Sequence, residues 1–331
     1  MNNLDTNHII EDMINTLNDR TWRTRRQASD KLIKIGKPAI LPLMTAIRQH
    51  AFTTFTLPEA VRALGGIGDV QAVDLLIEEL ENQNVQVVQE AIKGLGLIGS
   101  PQAIQPLINV FRRNWDDIET ITARQEAESA LAAIGQPAFP SLLAMLTDED
   151  DNVREGGASA LAELYDPQAI DPLINALQDK KHLVRAHAAD ALAKLGNKRA
   201  IKPLIVLLAD DSWYVRTRAI FALGQLGGSS VFASLTNTLE DQDPRIRSAA
   251  VSVLGQLQDT RIHDVLLKVL SDPDGNVRSD AVLAFARSGD TRALSALSWI
   301  QQNDPGYSGV NRIKDTATYA IQCIQERHLK N

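Results

Sequence analysis

Residues 179–196 read DKKHLVRAHAADALAKLG, and Ala200-Ile201-Lys202-Pro203-Leu204 follows shortly after. Within the first stretch Val184, Ala188, Ala191, Leu192 and Leu195 recur at spacings of four, seven, eight and eleven residues, so they share one face of an α-helix. The alanines among them let neighbouring helices approach closely. A unit with one apolar stripe cannot bury that stripe alone, so copies of it must stack.

The copies are present. Val-Arg or Ile-Arg recurs at Val153-Arg154, Val184-Arg185, Val215-Arg216, Ile246-Arg247 and Val277-Arg278, and each step between the arginines is 31 residues. Six residues before each stands Asp148, Asp179, Asp210, Asp241 or Asp272, and seven after it Leu161, Leu192, Leu223, Leu254 or Phe285. With small slips the register reaches both ends: Arg25, Leu57, Val88 and Arg124 hold the anchor position upstream and Lys314 downstream, with insertions around Arg112-Arg113-Asn114-Trp115 and at residues 303–309. This predicts an all-α solenoid of about ten two-helix repeats. Residues 1–331 form a single array in this reading, with an N-terminal capping repeat at 4–36, central repeats at 37–289 and a C-terminal capping repeat at 290–328. In the first helix Ile9, Ile10, Met13, Ile14 and Leu17 are the expected core.

Helix punctuation follows the same clock. Thr21, Thr53, Asn84, Thr120, Asp150, Ser212, Asp243 and Asp274 lie four residues before an anchor and suit the N-cap, where a side-chain oxygen accepts from a free first-turn amide. Gly36, Gly68, Gly99, Gly135, Gly196, Gly227 and Gly289 lie eleven after it and suit the left-handed residue that ends a helix. Pro42, Pro106, Pro172 and Pro203 fall early in the first helix of their repeats, where no amide is needed.

Charge is unevenly spread. The net charge is −7; Asp116 to Asp179 holds fourteen acidic residues against Arg124 and Arg154, whereas Arg20 to Arg48 is basic and Lys180 to Asn331 carries twenty cationic against fifteen anionic side chains. An acidic middle opposes a continuous phosphate-binding groove, so nucleic acid is not an expected partner. The lone Cys323 excludes an intramolecular disulfide and a cysteine metal cluster. The opening Met-Asn-Asn-Leu-Asp shows no basic-then-apolar leader, and no run of about 18 apolar residues suggests membrane insertion. A cytoplasmic protein is the expectation.

The repeat of residues 179–204 resembles the HEAT-like repeat of the phycobilisome-lyase type over nearly the whole chain. That resemblance implies a curved array whose second helices line a concave face. It also covers proteins as different as bilin lyase subunits of the E/F type, phycobilisome-degradation factors, deoxyhypusine hydroxylase and DNA glycosylases, so it does not select a function. Of these, deoxyhypusine hydroxylase would need His-Glu pairs for its di-iron site. None of His8, His50, His182, His187, His263 and His328 is followed by Glu. No phosphate-binding loop, nucleophile elbow or metal-ligand spacing occurs either, so no catalytic residue, metal or cofactor is expected.

With the second helices facing inward, positions −2, +1, +2, +5 and +9 from each anchor should line the groove. The partner-binding candidates are Leu183, His187 and Asp190, then Tyr214, Arg218, Phe221 and Gln225 with Trp213 beside them, and Arg245. Scarce aromatics next to arginine are typical anchors of a protein-binding surface. The recurring arginines, by contrast, should form a hydrogen-bonded ladder between repeats. The expected function is a non-catalytic scaffold or chaperone-like adaptor holding a protein on the concave groove. The alternative is a bilin lyase subunit of the E/F type, acting on a biliprotein or with a second HEAT-like subunit.

Overall fold

The computed structural model describes residues 3–114, 117–257, 259, 261–309 and 311–330. Trp115, part of the first insertion, lies outside them. Among the described residues there are twenty α-helices in ten consecutive pairs, which is the all-α solenoid architecture of the repeat. They fall into two compact units, Met1–Asp166 and Pro167–Asn331. The first unit pairs α1 (Asn3–Thr16) with α2 (Trp22–Ile35), α3 (Ile40–Arg48) with α4 (Leu57–Ile67), α5 (Val73–Glu79) with α6 (Val85–Ile98), α7 (Ile104–Val110) with α8 (Asp117–Ile134), and α9 (Phe139–Met145) with α10 (Asp151–Leu164). The second pairs α11 (Ile170–Ala176) with α12 (His182–Leu195), α13 (Ile201–Val206) with α14 (Trp213–Gly227), α15 (Phe232–Asn237) with α16 (Pro244–Leu254), α17 (Ile262–Val269) with α18 (Gly275–Ser288), and α19 (Leu294–Asn303) with α20 (Ile313–Lys330). The second insertion folds into a minimal antiparallel ladder, β1 (Tyr307–Ser308) with β2 (Asn311–Arg312).

In each unit a first helix packs on its own second helix, and successive second helices pack on one another. Most of the predicted stripe is the core: Val184, Ala188, Ala191 and Leu192 are fully buried, as are Leu161, Leu223, Leu254 and Phe285, while Leu195 at the helix end is half-buried. Small residues set the spacing between second helices. A Cβ built on Gly65 in α4 would lie 2.6 Å from the Gly94 Cα in α6, so these two backbones touch with no room for a methyl group.

Caps follow the sequence in part: Thr21 and Ser212 precede their helices without a side-chain cap bond. The side chains of Asn84, Asp150, Asp243 and Asp274 accept from the amides of Gln86, Asn152, Arg245 and Asn276. Thr53 is not a cap, because α4 starts at Leu57 and Thr56 precedes it. Thr120 lies inside α8, which begins a turn earlier at Asp117. Gly227 ends α14 with a negative φ, and the positive φ of +50° passes to Gly228. In the fifth repeat Tyr165 takes the left-handed position instead of glycine. The apolar stretch Trp213–Glu240 has the length and composition of a membrane span. It is interrupted after Gly227 by a 3₁₀ turn, Gly228–Val231, and its Arg216 and Arg218 are both ion-paired.

The repeated arginines build the expected ladder. Arg247 Nη1 donates to the carbonyls of Asp241 and Gln242 at 2.9 and 3.2 Å. Its Nε and Nη2 reach both oxygens of Asp272, in the next repeat, at 2.8 Å. Arg185 holds Asp210 in the same way at 2.7 Å, and Arg278 holds Asp304 at 2.7 and 2.9 Å. Arg216 is set less closely, with Nε 3.1 Å from Asp241. Each aspartate also accepts from the amide two residues on, as Asp272 does from Asp274. One side chain thus closes its own turn and receives the preceding repeat.

The first insertion repairs this ladder. Val88 at an anchor cannot reach the carbonyl of Asn82 six residues before it, and Arg113 Nη2 donates there instead at 2.9 Å. Its other terminal nitrogen reaches the Leu80 carbonyl. Neighbouring Arg112 forms the two-point pair with Asp148, at 2.9 and 2.7 Å.

These pairs make the fold acid-sensitive. The Arg278 hydrogen bond holds Asp304 below the ordinary carboxylate range against its burial, and Arg112 does the same for Asp148. Burial pushes Asp272 upward, but Arg247 and the Asp274 amide outweigh it and the net shift is downward. A carboxyl whose folded pKa is depressed stabilises the fold above its unfolded value, about 3.9, and loses that contribution as pH falls through the folded value. The urea midpoint should therefore drop as pH falls below about 4. A midpoint that stays level from pH 5 to pH 3 would contradict the ladder's contribution.

Candidate functional site

The sequence candidates lie on three consecutive second helices of the second unit. Leu183, His187 and Asp190 are on α12, Trp213, Tyr214, Arg218, Phe221 and Gln225 on α14, and Arg245 on α16. The outward rows of these helices remain accessible because the opposite face is taken up by the first helices. Trp213 and Phe221 are 41 % and 37 % exposed, so each ring keeps part of its surface available. Gln225 is exposed, while Leu183, His187, Asp190 and Tyr214 are half-buried.

Trp213 and Arg245 form the best-defined feature. The Arg245 guanidinium lies 3.8 Å from the centre of the Trp213 ring, within cation–π range. Asp243, the N-cap of α16, holds it there: Arg245 Nε and Nη2 donate to the carboxylate at 3.0 and 2.6 Å. Tyr214 stands edge-on to Trp213 with ring centres 5.8 Å apart. Arginine, indole and phenol thus form one contiguous cluster.

Arg218 is differently placed from the free anchor that its position in the sequence suggested. Its Nε lies 2.8 Å from both oxygens of Asp190, and Nη2 lies 2.6 Å from one of them. Arg218 and Asp190 therefore work as one neutral tie between α12 and α14. Lys93 makes a similar tie in the first unit, to Glu126 at 3.1 Å and Glu90 at 3.0 Å. Part of the outward face is occupied by such stacking contacts.

Beside the Trp213 cluster is a depression of about 540 Å³ bordered by Phe221, Pro244, Arg245, Ser252 and Asp280. Burial pushes the Asp280 carboxyl upward, and the Ser248 hydroxyl donates to it. Ser248 and Asp280 were absent from the candidate residues, although both occupy the +1 and +2 positions of the register. The depression joins an exposed ring, a proline and a half-buried carboxylate.

The comparisons with known proteins agree with the fold. A profile of HEAT repeats matches residues 58–132, 119–193, 139–224, 170–241, 201–261 and 232–308. No curated protein matches the chain in sequence. Among solved structures, the chain is similar to YibA of Escherichia coli at 21 % identity and a TM-score of 0.56, over 83 % of this chain and 97 % of that one. It is also similar to Kap121p at 14 % identity and a TM-score of 0.69, over 97 % of this chain but 42 % of that one. The same figures hold for the karyopherin Kap121p bound to the extreme C-terminus of the protein phosphatase Cdc14p. At these identities the likeness is one of fold.

Proposed function

The chain belongs to the HEAT-repeat family, and from that premise we propose that it is a non-catalytic scaffold that binds a protein partner on the outward face of α12, α14 and α16. The cluster of Trp213 under Arg245, next to exposed Phe221, carries this reading. Large rings lose little conformational freedom on association, and such residues dominate binding energy at protein interfaces. The depression beside Phe221 would take a protruding side chain. Kap121p, which shares the fold, is bound to a protein segment in the Cdc14p structure. The bilin-handling alternative rests on the resemblance of the repeat alone, and no feature of the face selects a tetrapyrrole.

The test compares quantitative affinity capture from the native host by the wild type, by Trp213→Ala/Phe221→Ala and by Trp22→Ala, an exposed tryptophan of the first unit. Arg218 is left intact, because its removal would strand Asp190. We expect the double variant to lose the specific partner by at least roughly tenfold while Trp22→Ala retains it. Exposed residues are replaced, so circular dichroism should be unchanged. Equal recovery by all three proteins rejects this face.

A further inference from the structure

One core position breaks the repeat's rule. Fifteen residues before successive anchors stand Phe139, Ile170, Ile201 and Phe232, and the next in the series, before Arg278, is His263. The first helix of a repeat ordinarily places a large apolar side chain there. His263 is equally buried, with 6 % of its surface exposed, and packs edge-on against Phe285 with ring centres 5.5 Å apart. A buried polar group should be hydrogen-bonded. Nδ1 lies 2.8 Å from Asp290 Oδ2 but has no aligned partner. Asp290 is already engaged: it accepts from the Arg292 amide at 3.0 Å and from Arg292 Nη2 at 2.6 Å.

His263 lines a depression of about 740 Å³ whose walls include Ile262, Leu266 and Phe285. That volume is within the range of small-molecule sites, and the mix of apolar wall and a few polar groups matches them. Four charged groups line it besides. Asp259 is bound to Arg261 at 2.6 Å and Asp290 to Arg292, so these carboxylates are neutralised within two residues of themselves. Arg287 has no ion pair among the described residues. Its Nη2 rests at the mouth, where a Cβ on Gly255 would come within 3.3 Å of it. The site therefore presents one guanidinium outside any ion pair among the described residues, one edge of an imidazole and an apolar wall.

We propose that this depression binds a small organic carboxylate with an aryl or alkyl body. Arg287 holds the carboxylate through its paired N–H donors. Leu257 and Ile262 cover the apolar part, and Nε2 of His263, the nitrogen turned away from Asp290, supplies a second polar contact. The occupant is a separate ligand from the protein partner proposed for the Trp213 face, and either can fail without the other.

The test titrates the full chain with 3-phenylpropionate and with its neutral amide, by calorimetry and by ¹H–¹⁵N spectra of the histidine side chains. The His263 signal is assigned from its loss in His263→Phe, a change that restores the residue type of Phe232 and should fold at least as well. Saturable binding of the acid that moves the His263 signal is expected, with the amide roughly tenfold weaker. Arg287→Ala should weaken the acid by roughly tenfold and bring it level with the amide. His263→Phe should keep its dichroism spectrum and lose the binding. The proposal is overturned if the acid shows no saturable effect on His263, if acid and amide bind alike, or if Arg287→Ala or His263→Phe binds as the wild type does.

Discussion

Arg247→Ala should lower the unfolding free energy of the second unit by about 3 kcal/mol, seen as a lower urea midpoint. The guanidinium makes four contacts, two to carbonyls of its own turn and two to Asp272. Hydrogen bonds to charged groups contribute about 1.5–3 kcal/mol each in favourable cases, and removing one partner also leaves the other under-solvated. Both side chains are nearly nine-tenths covered, so solvent screening removes only part of this. Lysine should recover less than half of the loss, because a point charge cannot span both carboxylate oxygens and the two carbonyls together. An alanine variant within about 0.5 kcal/mol of wild type would show that the ladder is ornamental.

Gly94→Val should be of similar size in the first unit, about 3 kcal/mol. The cause is steric rather than electrostatic. A Cβ on Gly94 would lie 2.6 Å from the Gly65 Cα and 3.1 Å from Leu76 Cδ1, so α4 and α6 must separate and reopen their seam. Backbone cannot move aside as a long side chain can. Gly68→Ala is the contrast: open space surrounds it, and only its φ of +74° opposes a side chain, a cost of about 1 kcal/mol. If the two substitutions prove equally costly in urea titrations of the full chain, the close crossing is not what these glycines provide.

The sequence made the regular part of this protein readable because the regular part is local or strictly periodic. Helix pairs, most of the buried stripe and the presence of an arginine ladder all followed from residues at fixed offsets. What it hid was contact between residues distant in the chain. Arg218 looked like a free cation, because nothing at its own position announces that Asp190, 28 residues earlier, is turned toward it. Arg112 and Arg113 looked like part of an interruption, yet they complete the rungs that Val88 and the displaced Arg124 leave open. Thr53 and Thr120 failed as caps at places where the loop length slips, and an offset counted from the anchor is no longer a guide there.

The ladder also says something about how such a chain can change. Each rung joins an arginine to the aspartate of the repeat that follows, and donor and acceptor are the same chemical groups at Arg185, Arg216 and Arg247. Deleting one whole 31-residue period between Arg185 and Arg216 would bring Arg185 to Asp241, a partner indistinguishable from Asp210. A duplication would likewise supply both halves of its own joints. Loss or gain of a fragment of a period would instead leave a charge stranded at the seam. The joints are interchangeable parts, and they leave the number of repeats as the dimension along which this architecture is free to vary.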